Sequence, residues 1–313
     1  MSEAVVECVP NFSEGRDFRR VEAIVNAMRV EGVRLLDWSL DADHNRSVVT
    51  VAGPPDAVVE AAVRGAGKAV DLIDLTQQTG VHPRIGAADV IPFVPVAGIK
   101  LEHCVLLARQ AGLEIWQRFG VPVFFYEAAA SRPDRANLED VRRGQFEGLL
   151  VEANKDPSRR PDLGGPGLHP TAGACAVGAR KFLVAYNIYF DSAPISTVRA
   201  IAREIRAASG GLKGVKALGL VVHGRAQLSM NITDFQATPV SAVYGKISEL
   251  AERHKAAIAE GEVIGLIPEA ACERDREWMR QLRGFDAEAK ILEHRLQSPL
   301  AWPEQVQADA ERK

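Results

Sequence analysis

A histidine and an arginine, His82 and Arg84, stand between two glycines in residues 80–86. A histidine exchanges protons near neutral pH, and an arginine offers a planar fork of donors to a carboxylate or a polar heterocycle. Pro83 fixes one backbone angle and the glycines permit tight turns, so both side chains would be held in defined orientations. The residue types indicate proton transfer beside an anion, whereas the local pattern alone favours a structural loop.

Two more polar segments could carry chemistry. Residues 41–47 contain Asp41 and Asp43 at a predicted turn between strands, and they could bind a metal, orient a histidine or form a hydrogen-bonded turn. The turn is favoured because aspartate and asparagine bond their own backbone, and the spacing offers no third and fourth metal ligand. Residues 9–15 join a strand to a helix, where Ser13 could be the helix N-cap and Asn11 could bind a ligand.

Glycine and proline dominate residues 160–173, which prevents regular structure. One interpretation is a linker between domains. The other is a loop that covers a ligand, because glycine lets backbone N–H groups approach a flat or charged molecule.

The elements that must position these segments repeat in two halves. Hydrophobic periodicity predicts an α/β (α+β) protein in which each half has the order β-α-β-β-α-β, the ferredoxin-like arrangement, with mixed or antiparallel sheets. The domains would be residues 1–180 and 181–313. In the first half we predict strands over 5–9, 33–38, 48–52 and 88–94, helices over 15–29 and 54–75, and an added helix and strand over 101–119 and 121–126. In the second half we predict strands over 181–189, 215–222, 227–233 and 262–267, and helices over 195–208 and 239–258.

Composition excludes several classes of protein. The 313 residues suit two domains, and 38 basic against 41 acidic side chains give a net charge of -3. That balance, with 6% aromatic residues, argues against nucleic-acid binding. No apolar run approaches the roughly 20 residues of a membrane span, and an acidic N-terminus is unlike a signal peptide, so we expect a cytoplasmic protein that does not bind membranes. The four cysteines are too far apart to indicate a zinc site or disulfides.

Several of these segments together resemble the formiminotransferase family. The resemblance covers residues 6 to about 268 and is weaker after Asn187. It rests on the motifs VECVPNFSEG (6–15), NRS (45–47), GPP (53–55), LID (72–74), HPRIGA (82–87), DV (89–90), PFVPV (92–96) and GARKFLVAYN (178–187).

The resemblance implies two subdomains that flank a substrate cleft and the transfer of a formimino group from N-formimino-L-glutamate to tetrahydrofolate in histidine degradation. His82 corresponds to the catalytic histidine, a general acid and base that would take the N5 proton and return one to the glutamate nitrogen. A histidine pKa near ~7 suits that double role. The co-substrate, tetrahydrofolate, could be polyglutamated. A homodimer and a metal-free site are also implied.

The resemblance also assigns contacts for the folate and the donor. Some members have an acid before the histidine, where Val81 stands here, and another acid where Ser39 stands here. Asp41 and Asp43 are the candidates for the role of the second acid. The predicted folate and substrate contacts are Asn11, Arg84, Leu163, Gly164, Gly165, Pro166, Gly167, Leu168, His169, Pro170, Thr171, Ala172 and Asn187.

Two alternatives stay open from the sequence. A formyl group, or another one-carbon unit, could be transferred through the same base and folate site. A non-catalytic RNA- or ligand-binding protein could use the same ferredoxin-like halves, although RNA binding calls for paired aromatics on central strands and a basic face.

Overall fold

The computed structural model describes residues 4–273 and 277–303, which fall into two compact units. Unit 1 runs to Arg180 and includes the chain again from Pro299, and unit 2 is Lys181–Ser298. The last segment differs from the expectation that 181–313 forms one domain, because the Leu300 N–H donates to the Leu35 carbonyl at 2.8 Å and so joins unit 1.

A mixed sheet forms the centre of unit 1. Its strands are β1 (Val5–Cys8), β2 (Asn11–Phe12), β3 (Arg34–Asp41), β4 (Arg46–Gly53), β5 (Ala88–Ala97), β6 (Val123–Glu127) and β7 (Cys175–Ala179). β1 and β2 form one interrupted strand, because Pro10 between them has no N–H for a ladder. This strand pairs with β4 on one side and with β5 on the other, β3 pairs with the far side of β4, and β7 lies parallel between β5 and β6.

Amphipathic helices cover this sheet and bury one hydrophobic cluster. The Asp17 carboxylate accepts from the N–H groups of Arg19 and Arg20 and caps the first helix, so the N-cap predicted at Ser13 is wrong. The next helix begins at Pro55, where a missing N–H costs nothing. The helices of unit 1 are α1 (Phe18–Ala27), α2 (Pro55–Leu72), α3 (Leu101–Phe119), α4 (Leu138–Val141) and α5 (Gln145–Lys155).

Unit 2 has an antiparallel sheet in the order β11-β8-β10-β9. Its elements are β8 (Val184–Asp191), α6 (Ile195–Ile205), β9 (Val215–Val222), β10 (Arg225–Ile232), α7 (Val240–Arg253), β11 (Ala257–Ile264), α8 (Glu277–Arg280), α9 (Ala287–Lys290) and α10 (Leu292–Gln297). A second buried cluster fills this unit, with the rings of Tyr186 and Trp278 packed at 5.6 Å. The α+β class is confirmed, and the ferredoxin-like description stays a prediction.

None of the helices within residues 4–273 and 277–303 is both long enough and apolar enough to cross a bilayer.

Candidate functional site

His82 lies in the irregular stretch between α2 and β5, and neighbouring backbone fixes that stretch in place. The Ser13 hydroxyl donates to the Gly86 carbonyl at 2.7 Å, and the Ala174 N–H donates to the Ile85 carbonyl at 2.9 Å. Gly86 is required there because a Cβ atom would lie 2.1 Å from the Ala174 carbonyl oxygen. The histidine segment is therefore joined directly to the start of the chain and to the end of the glycine-rich loop.

The turn before β4 is bonded to the same assembly through Asn45. Its side-chain oxygen accepts from the Gly15 N–H at 2.9 Å, and its amide nitrogen donates to the Thr79 carbonyl at 2.9 Å. Gln78 donates in turn to the Asn45 carbonyl at 3.0 Å. The three polar segments that the sequence marks separately form one site in unit 1.

Arg46 is at the centre of the site. Its Nε and Nη2 donate to the Asn11 side-chain oxygen at 2.9 and 2.7 Å, and its Nη1 lies 2.9 Å from the Asp89 carboxylate and 3.0 Å from His82 Nδ1. Asn11 is consequently part of the histidine's surroundings. Its oxygen accepts from Arg46, and its predicted contact with a ligand stays a prediction.

Arg142 adds a second guanidinium to the same carboxylate. It pairs with the Asp89 Oδ2 atom that Arg46 also contacts, and the Ile85 N–H donates to the other oxygen at 2.7 Å. Asp89 is fully buried, and the side chains of Arg46 and Arg142 are only 12% and 11% exposed. Two cations thus share one anion in a place where water screens little.

These charges set the protonation states of the site. Burial would raise the pKa of Asp89, but Arg142 and Arg46 outweigh it and hold that pKa at about 2. Burial and the nearby Arg142 lower the pKa of Arg46 to about 10. Burial, with Arg46 and Arg142, lowers the pKa of His82 to about 2, so its imidazole is neutral in the structure. A pKa near 7, as the sequence analysis supposed, is not what these surroundings produce.

His82 Nδ1 has two neighbours that require opposite tautomers. It lies 3.0 Å from an Arg46 N–H, which can only donate, and 2.8 Å from the Pro83 carbonyl, which can only accept. Donation to Pro83 leaves Nε2 unprotonated and able to accept a proton, whereas acceptance from Arg46 places the proton on Nε2. The half-buried ring can therefore act as a base in the first state and as a donor in the second.

Asp41, a candidate for the acid that supports His82, is bonded to another histidine. Its two oxygens accept from the His44 N–H at 2.8 Å and face His44 Nδ1 at 2.7 Å. Partial burial opposes ionisation, but these hydrogen bonds lower the pKa of Asp41. The His44 ring meets the His82 ring edge-on at 6.0 Å. Asp89 is linked to His82 through Arg46. The Asp43 carbonyl accepts from the Val81 N–H at 3.4 Å, next to His82 in the chain. The role of Asp41 or Asp43 as the supporting acid stays a prediction.

Arg84, the second residue of the histidine motif, points to structural partners. Its Nε donates to the Gln78 side-chain oxygen at 2.5 Å, and its two terminal nitrogens bind the Glu147 carboxylate at 3.2 and 2.8 Å. It also donates to the Gln78 carbonyl at 2.9 Å. The structure brings the backbone of Arg84, but not its guanidinium, to the His82 cluster, and its predicted contact with a ligand stays a prediction.

The glycine-rich loop is held at both ends and open in the middle. Leu163 exchanges hydrogen bonds with Val123, and the Ala172 carbonyl accepts from the Ala87 N–H at 2.9 Å. The His169 ring accepts from the Ala172 N–H at 2.9 Å, which closes the loop. Among the described residues, none accepts from the N–H groups between these ends, those of Gly164, Gly165 and Gly167.

Asn187, the last predicted contact, lies on the sheet of unit 2 with a carboxylate. Glu262 Oε1 accepts from Asn187 at 3.0 Å, from the Tyr189 hydroxyl at 3.1 Å and from Gln227 at 3.2 Å. Burial and Glu262 raise the pKa of Tyr189 to about 12, so that hydroxyl stays a donor. A cavity of about 310 Å³ is lined by residues of this group and by Arg225.

Within residues 4–273 and 277–303, no group of three or more histidine, cysteine, aspartate and glutamate side chains is arranged to hold a metal ion. The side chains gathered at His82 can transfer a proton through the imidazole and bind an anion through the guanidinium groups of Arg46 and Arg142.

Three residues of the site were not predicted from the sequence. Arg46 and Asp89 stand inside family motifs, and Asp89 is a lone acid at the start of the apolar run that becomes β5, which is a signal for a buried partner. Arg142 follows a four-residue helix in a charged stretch, and its sequence offers no comparable signal.

Known proteins resemble this chain over nearly its whole length. The family model described as "Formiminotransferase domain, N-terminal subdomain" matches residues 5–180, and that described as "Formiminotransferase domain" matches 185–291. The chain is 42% identical over 298 residues to the glutamate formimidoyltransferase of Thermoplasma acidophilum, covering 94% of this chain and 98% of that protein. It is 42% identical over 295 residues to that of Streptococcus pyogenes, with 93% and 98% covered. The formimidoyltransferase-cyclodeaminase of Gallus gallus is 41% identical over 276 residues, which are 85% of this chain and 51% of that protein.

Proposed function

The chain belongs to the formiminotransferase family, and we propose from that membership that it is a glutamate formimidoyltransferase, with N-formimino-L-glutamate as donor and tetrahydrofolate as acceptor. The observation that carries the proposal is the match over 98% of the length of relatives that bear this name. No described feature favours the formyl donor or RNA over this reaction.

The reaction requires one proton to move between two nitrogens. A bond forms between N5 of tetrahydrofolate and the formimino carbon, and the bond from that carbon to the glutamate nitrogen breaks. His82 in the tautomer bonded to Pro83 accepts the N5 proton at Nε2 and then donates a proton to the glutamate nitrogen. This step needs no covalent bond to the enzyme.

The remaining residues bind and orient the two acidic substrates. The N–H groups of Gly164, Gly165 and Gly167 donate to no described residue, which supports a role for the loop from Leu163 to Ala172 in holding the flat polar ring of the folate. Asn187 donates its amide N–H to Glu262 on the sheet of unit 2, and its contact with a ligand stays a prediction. Polyglutamation of the folate and a homodimer stay predictions.

The direct test mixes the protein with tetrahydrofolate and either N-formimino-L-glutamate or N-formyl-L-glutamate. We expect one glutamate released per folate converted, with a change in folate absorbance, from the formimino donor alone. Turnover of the formyl donor at a similar kcat/KM would replace the proposal with a formyltransferase, and turnover of neither would reject it.

A further inference from the structure

We propose that Arg46 and Arg142 form the subsite that holds the α-carboxylate of the donor next to His82. The inference rests on the proposed function for the identity of the donor. Its structural basis, two buried guanidinium groups on one buried carboxylate, is independent of it.

The charges of the cluster do not balance. Arg46 and Arg142 both contact Asp89 Oδ2, and the other side-chain partners of Arg46 are Asn11 and His82, neither of which carries a negative charge. His82 is neutral and the His44 ring beside it is paired with Asp41, so one positive charge in the cluster has no counter-ion in the described part of the chain. An unpaired charge at about one-tenth exposure is costly, and a bound carboxylate would remove that cost.

One donor atom of the pair has no hydrogen-bond partner among the described residues. Arg142 Nε is buried, and no acceptor reaches it among residues 4–273 and 277–303. A buried N–H that lacks a partner costs free energy, and native structures satisfy almost all such groups. A carboxylate that bridges the two guanidinium groups would satisfy this one.

The distance to His82 decides which carboxylate fits. Arg46 Nη1 is 3.0 Å from the His82 imidazole, so an anion bound to Arg46 lies within a few bonds of the substrate nitrogen that exchanges a proton with His82. In N-formimino-L-glutamate the α-carboxylate is attached to the carbon that bears the glutamate nitrogen. In tetrahydrofolate every carboxylate is separated from N5 by an aromatic spacer. The geometry therefore matches the donor and not the folate tail.

Binding would also adjust His82 for its role. Without a ligand, burial with Arg46 and Arg142 outweighs Asp89 and holds the His82 pKa at about 2. A carboxylate on the two guanidinium groups adds an opposite charge, which raises the pKa of His82 towards the range in which a histidine exchanges protons efficiently. The donor would thus prepare its own general acid and base.

The test uses Arg142→Gln, because its removal leaves Arg46 and Asp89 as a balanced pair and should preserve folding. Arg143→Gln is the matched control, since Arg143 is exposed and adjacent. Calorimetric titration with glutarate should show binding about tenfold or more weaker for Arg142→Gln than for the native chain and Arg143→Gln. Neutral glutaramide should bind all three equally weakly. Proton NMR should show that glutarate raises the His82 pKa in the native chain and not in Arg142→Gln.

Kinetics separate the two sources of carboxylate. Arg142→Gln should raise KM for the formimino donor about tenfold or more and leave KM for the folate unchanged, also for a tetrahydropterin without a glutamyl tail. Equal glutarate binding by Arg142→Gln and the native chain would overturn the inference, as would an effect confined to tailed folate. Absence of formimino transfer by the native chain would reject the proposed function alone, because the glutarate titration still decides the subsite.

Discussion

At the scale of single residues, Asp89 organises the candidate site. It is fully buried, it neutralises one of two guanidinium groups, and it accepts a hydrogen bond from the Ile85 N–H, which follows His82 in the chain. Because Arg46 contacts both Asp89 and His82, the carboxylate fixes the position of the histidine without touching it. The pKa of Asp89, at about 2, keeps it ionised throughout the physiological range.

The first prediction concerns this carboxylate. Asp89→Asn leaves two buried guanidinium groups without a counter-ion, so we expect the free energy of unfolding to fall by about 3–5 kcal/mol. Urea unfolding of the purified chain measures the change. Asp71→Asn, an exposed acid on α2, is the control and should change stability by less than about 0.5 kcal/mol. Equal effects of the two substitutions would show that Asp89 is not the counter-ion of the pair.

At the scale of elements, the site depends on a close approach between the start of β5 and the segment that enters β7. Gly86 and Gly173 form an isolated bridge, and the Ala87 and Ala174 N–H groups bond across it at 2.9 Å each. Since β5 and β7 are parallel neighbours, this bridge carries the glycine-rich loop to the histidine segment. Lack of a side chain at Gly86 is what permits it.

The second prediction tests that approach. Gly86→Ala places a methyl group 2.1 Å from a backbone oxygen, which must move, so we expect a loss of about 1–3 kcal/mol in stability and weaker folate binding. Gly148→Ala is the control within unit 1, because nothing lies within 4 Å of that site on α5, and we expect it to stabilise by about 0.5–1 kcal/mol. Unfolding curves and folate titrations measure both. A neutral Gly86→Ala would contradict the role of the bridge.

Elements with a clear periodicity could be predicted from the sequence, and others could not. The structure confirms the predicted bounds of α3 and β9. β7 was not predicted, because its residues, CAVGA, are small and lack the alternation of apolar and polar side chains that marks a half-buried strand. The predicted helix over 239–258 is too long: α7 ends at Arg253, and β11 begins at Ala257. Leu250, Ala257 and Ile258 keep a helical spacing across the charged residues 252–255, so hydrophobic periodicity alone does not locate the boundary.

Some residues of the site could likewise be predicted from the sequence, and others could not. Motif and residue type were enough to single out His82 and Asn11, which the structure places in one cluster. The Arg46, Asp89 and Arg142 contacts could not be predicted because they join residues 43 and 53 positions apart in the chain. Such pairs depend on how β4, β5 and the segment after α4 meet, which is a property of tertiary packing.

At the scale of the whole molecule, net charge conceals local charge. The chain carries 41 acidic and 38 basic side chains, yet the cluster at His82 has two cations for one anion. An overall negative protein with a locally positive site suits small acidic substrates better than nucleic acid, which is attracted by a broad basic surface. Each unit also has its own buried cluster, so unit 1 has a core that supports the site on its own elements.

The central claim is that His82 transfers the proton in formimino transfer, and steady-state turnover with N-formimino-L-glutamate and tetrahydrofolate tests it most directly. We expect His82→Ala to lower kcat by about 10²–10⁴-fold while the Kd for tetrahydrofolate stays within about twofold of the native value. His103→Ala, at an exposed position on α3, should leave both constants unchanged. Near-native kcat in His82→Ala, with the folate still bound, would contradict the account.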